Sequence, residues 1–301
     1  LSEGSAAAAL AEYRRRLGGY RAEIEGTREA WRRVLGNAAE DRLVPGRAAS
    51  AEGETLHTGR LAATVTEVSA GRTRPDAFRV RARVSRSARA PGHTDYALVL
   101  DRSASMRGRN AQLCGDAAMV MVEALEAVSR DVAQAAVRPR AALAPQLRAA
   151  LIVFDAAPVT VKPLARPLDE AARAGLHAAV RGAGGSTLGA PALREAAREL
   201  GLVTAASRPT PAAPGDPRRI VILVSDGGVT DAAELRGEAS ALRRAGADVV
   251  GIGVGAGAGL AELGIEARRI ERLDQLPGAL AGLLAEHAHP SPRGAASGSR
   301  A

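Results

Sequence analysis

Asp101, Ser103 and Ser105 present one carboxylate and two hydroxyls at alternate positions, directly after the apolar run Tyr96-Ala97-Leu98-Val99-Leu100. Oxygen-only donors of this kind suit a hard divalent cation, Mg²⁺ or Mn²⁺, rather than zinc or copper. Two later segments supply what such a site still lacks. Gly184-Gly185-Ser186-Thr187 precedes the apolar-striped segment Leu188 to Leu200, and Val224-Ser225-Asp226-Gly227 follows the run Ile220-Val221-Ile222-Leu223-Val224. Each residue also has a plainer reading. Ser103 could cap a turn, Thr187 could cap the next helix, and Asp226-Gly227-Gly228 could be only a turn.

The elements around these residues must bring them together. From residue 96 onward, strand and helix patterns alternate. Strand Tyr96–Leu100 leads to a helix from about Asn110 to Ser129, striped by Leu113, Ala117, Val120, Met121, Ala124 and Val128. Strand Leu151–Phe154 and a short strand Val159–Val161 are joined by the turn Asp155-Ala156-Ala157-Pro158, which fits an antiparallel pair. Helices are expected at about 168–180 and 188–200. Strand Ile220–Val224, a helix at 231–245, strand Val249–Val254 and a last helix at 276–286 complete the order. Strands that are continuous apolar runs are buried on both faces, so the fold class is α/β, a doubly wound, mostly parallel sheet with helices on both faces. In such a sheet the loops at the carboxyl ends of the strands converge on one crevice.

In this order and in these places, Asp101, Ser103, Ser105, Thr187 and Asp226 resemble the five positions of the metal-ion-dependent adhesion site of von Willebrand factor type A domains. The resemblance covers the chain from near His93 to His287. It implies that Ser103, Ser105 and Thr187 bind the cation through hydroxyls. It further implies that Asp101 and Asp226 act from the outer shell through bridging waters, or directly in another state. Neutral inner hydroxyls leave the cation electrophilic, and a sixth position can be taken by a partner's carboxylate. Asp101, at a strand end, is expected to lie outside the apolar core and to matter little to packing. Arg102, inside the motif, departs from the small or apolar residue common there; it could face solvent or attract an acidic partner.

The rest of the chain sets bounds. A mainly helical region, 1–92, precedes a domain over 93–288, and a Ser/Gly/Arg-rich tail, 289–301, reads as disordered. Leu10, Tyr13, Leu17, Tyr20, Ile24, Thr27, Trp31 and Val34 form a narrow apolar stripe that Gly18-Gly19 and Gly26 can break. The stripe reads as a helix packed on its own domain or as a partner-binding helix. Residues 36–59 read as a connector, and Leu61 to Val68 as a short helix. Phe78 to Val84 alternates as a strand with Arg79, Arg81 and Arg83 outward, expected at a sheet edge. Arg138 to Pro145 and Ser207 to Pro217 are Pro/Ala-rich inserts.

Net charge is +8, yet Lys162 is the only lysine and the arginines are scattered among glutamates rather than clustered, which argues against nucleic acid. Cys114 is the only cysteine, so no intrachain disulfide can form and a reducing, cytoplasmic setting is expected. No stretch approaches 18 apolar residues, so no membrane span is expected. Leu1 is not a methionine, and the sequence reads as a fragment or trimmed product.

Catalytic readings fit poorly. An Asp-x-Asp phosphatase needs a carboxylate where Ser103 stands. A Ser-His-Asp hydrolase needs a histidine on a loop after a late strand, whereas His57, His93, His177, His287 and His289 lie elsewhere. No P-loop is present, and Gly251-Ile252-Gly253-Val254-Gly255 follows a late strand rather than the first. The chain is expected not to be an enzyme.

Glu52 to Leu56, Leu61, Val65, Arg74 to Val80 and Asp95 to Asp101 together resemble a bacterial set. This set comprises the cobalt-chelatase large accessory subunit and the nitric oxide reductase activation protein. His57-Thr58 stands where those proteins commonly carry an aspartate. The resemblance implies an adapter working beside an AAA+ ATPase of the MoxR or magnesium-chelatase type, in metal or cofactor insertion or protein remodelling. The alternative is a cell-surface adhesion or generic ligand-binding domain.

Overall fold

A computed structural model of the protein describes residues 3–39, 43–51, 55–83, 93–136, 146–181, 184–202, 217–255 and 259–288. The insert 138–145, most of the insert 207–217, Val84 and the tail 289–301 lie outside the described residues. So do the side chains of Val34, Arg79, Arg81 and Arg83. Two compact units are distinguished, Leu1–Ala38 with Arg89–Ala301, and Ala39–Ala88.

In the larger unit six strands form one sheet. They are β4 (Thr94–Asp101), β5 (Leu147–Phe154), β6 (Pro158–Lys162), β7 (Arg218–Ser225), β8 (Ala247–Val254) and β9 (Glu266–Ile270), in the order β6-β5-β4-β7-β8-β9. Only β6 runs antiparallel, against β5; the other pairings are parallel. β4 is central, with Leu98 flanked by Leu151 and Ile222.

Side chains of β4 alternate between two cores, as the pleat demands. Tyr96, Leu98 and Leu100 pack with α4 (Arg109–Ala136), α5 (Glu170–Arg181) and α9 (Leu276–Ala288). Ala97 and Val99 pack with α6 (Gly189–Glu199), α7 (Ala232–Arg244) and α8 (Gly259–Glu262). The expected stripe of α4 is buried along its length, from Leu113 to Val128. The fold is the doubly wound, mostly parallel α/β sheet read from the sequence.

The N-terminal stripe breaks at Gly18-Gly19 into α1 (Glu3–Leu17) and α2 (Arg21–Ala39). Both helices belong to the sheet unit, and Tyr13, Thr27 and Trp31 of the stripe are buried there. Tyr13 and Trp31 enter the core beside Tyr96, while Leu17, Tyr20 and Ile24 pack against it. Trp31 meets Tyr96 edge-on, with centroids 4.7 Å apart at 66°. The Tyr13 hydroxyl donates to Glu123 at 2.9 Å and the Tyr20 hydroxyl to Asp116 at 2.7 Å. Gly26 does not break α2: a Cβ there would lie 3.0 Å from the Pro277 ring, so its smallness admits the start of α9.

Unit Ala39–Ala88 corrects two expectations. The connector 36–59 contains the end of α2 and two strands, β1 (Leu43–Ser50) and β2 (Thr55–Leu56). Both pair antiparallel with β3 (Phe78–Arg83), which is therefore the middle strand of a three-stranded sheet and not an edge. Pro45 and Gly46 hid β1, and its register shifts between Pro45 and Ala49, where proline cannot donate to a ladder. Helix α3 (Leu61–Ser69) forms as expected.

Candidate functional site

The site begins where β4 ends. Asp101 is 2% exposed, so it lies inside the core boundary rather than outside it. Both carboxylate oxygens are engaged. The Ser103 amide donates to Oδ1 at 2.8 Å, and the Ser225 hydroxyl donates to Oδ2 at 2.6 Å. Burial pushes the Asp101 carboxyl above its ordinary range, and nearby Asp226 pushes the same way. The bonds from Ser103 and Ser225 oppose this by favouring the charged form.

After Asp101 the chain makes a short helical turn over Ala104–Met106. Ser103 stands at its start, but its hydroxyl does not cap the turn. It lies instead 3.0 Å from the Ser105 hydroxyl. Ser105 in turn donates to Asp226 Oδ1 at 3.3 Å. Asp226 follows the last residue of β7, and Oδ1 also accepts the Gly228 amide at 3.0 Å. The turn reading of Asp226-Gly227-Gly228 therefore holds, and the same carboxylate faces the serines.

Thr187 is buried and comes from the loop before α6. Several bonds hold that loop against the other two. Gly184 donates its amide to Arg102 O at 2.9 Å, and Leu188 donates its amide to Asp155 O at 2.9 Å. Thr230 donates both its amide (2.9 Å) and its hydroxyl (2.8 Å) to Thr187 O. Asp231 caps α6 through the amides of Gly189 and Ala190, at 2.9 and 2.7 Å, so Thr187 is not the cap. Side-chain bonds thus link Ser103 to Ser105 and Ser105 to Asp226, Asp101 is joined to the Ser103 amide, and the loop of Thr187 is tied to the loops after β4 and β7 through backbone bonds.

Arg102 is accounted for. Its guanidinium pairs with Asp155 at 3.0 Å, at the end of β5, and both side chains are mostly covered. It fastens loops together and is not a free surface charge. Four contributors escaped the sequence reading: Ser225, Asp155, Thr230 and Asp231. The one local signal was at Ser225, a polar residue ending an otherwise apolar strand.

Electrostatics and donor chemistry fit a hard cation. Among the described residues neither Asp101 nor Asp226 has an arginine or lysine partner, so two neighbouring carboxylates share no protein cation. Neighbouring ligand oxygens of an octahedron with 2.0–2.1 Å bonds are about 3 Å apart, close to the observed Ser103–Ser105 separation of 3.0 Å. No group of three or more His, Cys, Asp or Glu side chains gathers among the described residues, so a nitrogen- or sulfur-rich centre is not built there. Asp101 and Ser103 form the buried floor, while Ser105 is exposed and Asp226 half-exposed, so the crevice opens outward. No helix among the described residues is long and apolar enough to cross a membrane.

Among solved structures, the chain is similar to proximal thread matrix protein 1 from the mussel byssus, at 21% identity and TM-score 0.48, over 67% of this chain and 50% of that one. It is also similar to the pilus adhesin SpaC from Lactobacillus rhamnosus GG, at 12% identity and TM-score 0.47, over 67% and 31%. Manganese-loaded TRAP protein from Plasmodium vivax matches at 16% identity and TM-score 0.45, over 64% and 73%. The chain thus spans half the length of the mussel protein and less of the adhesin. No curated protein matches the chain. The von Willebrand factor type A domain model matches residues 95–265, more than half of the sequence and the span that contains all five crevice residues, and the chain belongs to that family.

Proposed function

We propose that this protein is a metal-dependent docking adapter. In this reading Ser103, Ser105 and Thr187 hold one Mg²⁺ or Mn²⁺, and Asp101 and Asp226 support it. The observation that carries the reading is the crevice itself: hydroxyls 3.0 Å apart beside two carboxylates that lack a protein cation, open on one side. A bound divalent cation would supply an electrophilic centre with a position free for a partner's carboxylate. The residues do the rest. Asp101 anchors the floor, the serine pair presents oxygens, and the backbone carbonyls of Arg102 and Asp155 hold the Thr187 loop against them.

The partner in this reading is a cytoplasmic AAA+ ATPase of the MoxR or chelatase type, or the protein it remodels, during metal or cofactor insertion. The resemblance of segments 52–80 and 95–101 to the chelatase-accessory set supports that choice. No catalytic residue is assigned; ATP hydrolysis belongs to the partner.

Calorimetric titration with Mn²⁺ tests the metal, with Asp101→Ala/Ser103→Ala as control. One site in the wild type and none in the variant is the expected result; equal binding by both would sink the assignment. Capture from the native cell in Mg²⁺ and in EDTA tests the partner. An AAA+ ATPase retained only in Mg²⁺ supports the adapter, whereas an extracellular ligand retained instead would favour adhesion.

A further inference from the structure

The Ser225 hydroxyl stands at the end of β7, directly before Asp226. It is fully buried. Its oxygen donates to Asp101 Oδ2 at 2.6 Å and accepts the Gly227 amide at 3.0 Å. A serine hydroxyl has one proton. The ionised Asp101 carboxylate can only accept and the Gly227 N–H can only donate, so that proton is directed at Asp101. The hydroxyl therefore has a fixed polarity: it offers Asp101 a donor and accepts nothing from it.

The same atom shapes the approach of Asp226. Ser225 and Gly227 flank Asp226, and the amide-to-hydroxyl bond closes the turn around it. Gly227 has φ +87°, and a Cβ there would lie 2.5 Å from the Cα of Gly259, so its backbone cannot shift toward α8. One buried hydroxyl thus fixes the Asp101 carboxylate directly and the Asp226 carboxylate through the turn.

We infer that Ser225 is the positioning residue of the crevice, setting the relation of Asp101 to Asp226 that cation binding requires, although it touches no cation itself. This rests on the metal reading proposed above. Groups that orient metal-site carboxylates from behind typically contribute about 10- to 100-fold to metal affinity.

Mn²⁺ affinity of the full chain, read by calorimetry and by the electron paramagnetic resonance of free Mn²⁺, tests the inference in Ser225→Ala and Ser225→Thr. Ser225→Ala is expected to bind Mn²⁺ about ten-fold or more weakly. Ser225→Thr, which keeps the hydroxyl, is expected to stay within about three-fold of wild type. A role that depended on packing alone would be disturbed further by the added methyl of Ser225→Thr and not rescued by its hydroxyl. Should Ser225→Ala fail to fold, as judged by circular dichroism in EDTA, Ser225→Cys takes its place: near in size, a poor donor, and expected to show the same loss. Wild-type affinity in Ser225→Ala or Ser225→Cys would overturn the inference, as would a Thr variant as weak as Ala. Absence of Mn²⁺ binding by the wild-type chain is a different result and would overturn the metal reading beneath it.

Discussion

Asp101 shows how one residue can be both a functional group and a structural one. At a strand end it invites the view that its removal is harmless. Yet it is buried and accepts hydrogen bonds from the Ser103 amide and the Ser225 hydroxyl. Asp101→Ala strands both donors, and a buried donor without a partner costs about 1–3 kcal/mol. Losing a desolvated charge beside Asp226 offsets part of this. We expect a net loss of about 1–2 kcal/mol in EDTA, together with loss of Mn²⁺ binding. Urea unfolding in EDTA measures the first effect; an unchanged midpoint would mean the two bonds hold nothing. His177 gives a second residue-level prediction. It is buried between α1, α4 and α5, and its Nε2 has no hydrogen-bond partner among the described residues. Burial lowers its pKa first, then Arg181 and Arg16, while Glu12 and Asp116 oppose them. The unfolded chain therefore binds more protons than the folded one below about pH 6.5. Stability is unaffected by this group above that value and falls as the pH drops through the folded-state value. His177→Gln should lose less stability than wild type between pH 7.5 and 5.5. Parallel urea curves for the two proteins at both pH values would discard the assignment.

At the scale of elements, the helix pair α1–α2 is part of the core. Trp31 is 1% exposed and packs edge-on against Tyr96 of β4. Truncating a buried tryptophan costs about 3–5 kcal/mol, so Trp31→Ala should lower stability by that order. A helix pair that merely awaits a partner would lose almost nothing, and thermal unfolding separates the two. The Leu10 to Trp31 stripe was legible because its three- and four-residue steps are a local pattern, and the strands 96–100 and 220–224 because they are continuous apolar runs. Strand β9 was not legible. Its sequence, Glu266-Ala267-Arg268-Arg269-Ile270, is that of a polar edge strand, and only its pairing with β8 reveals it. The run Gly251 to Gly255 looked like a weak nucleotide motif but reflects packing. A Cβ at Gly251 would meet Leu260 at 2.9 Å, and one at Gly255 would meet Asn110 at 2.5 Å. The five candidate residues stood out as types placed beside strand ends, and the structure joins Ser103, Ser105 and Asp226 through side chains, with Asp101 bonded to the Ser103 amide. The bonds that assemble them were not legible, because Ser225 reaches Asp101 across 124 positions and Asp231 reaches Ala190 across 41. Polar contacts of that kind leave no periodic trace in a sequence.

At the scale of the whole molecule, the net charge of +8 and the crevice make separable contributions to docking in the proposed reading. Long-range attraction acts on the approach of an acidic partner and is screened by salt, with a Debye length of about 8 Å at physiological ionic strength. It does not come from Arg102, which is paired with Asp155, but from the overall excess of arginine, including exposed Arg107 beside the motif. The contact at the crevice acts at short range, after approach, and so governs dissociation. Association kinetics of the captured partner should therefore split. Raising NaCl from about 50 to 500 mM should slow association by roughly ten-fold or more while leaving dissociation nearly unchanged. Replacing Mg²⁺ by EDTA, or using Ser103→Ala/Ser105→Ala, should speed dissociation far more than it slows association. Removing one critical Glu or Asp of the partner should reproduce the EDTA result and should not add to it, because both changes break the same bridge. Additive losses would show that the partner's carboxylate binds somewhere other than the crevice. Equal dissociation rates in Mg²⁺ and EDTA would remove the bridge from the account and leave charge attraction alone.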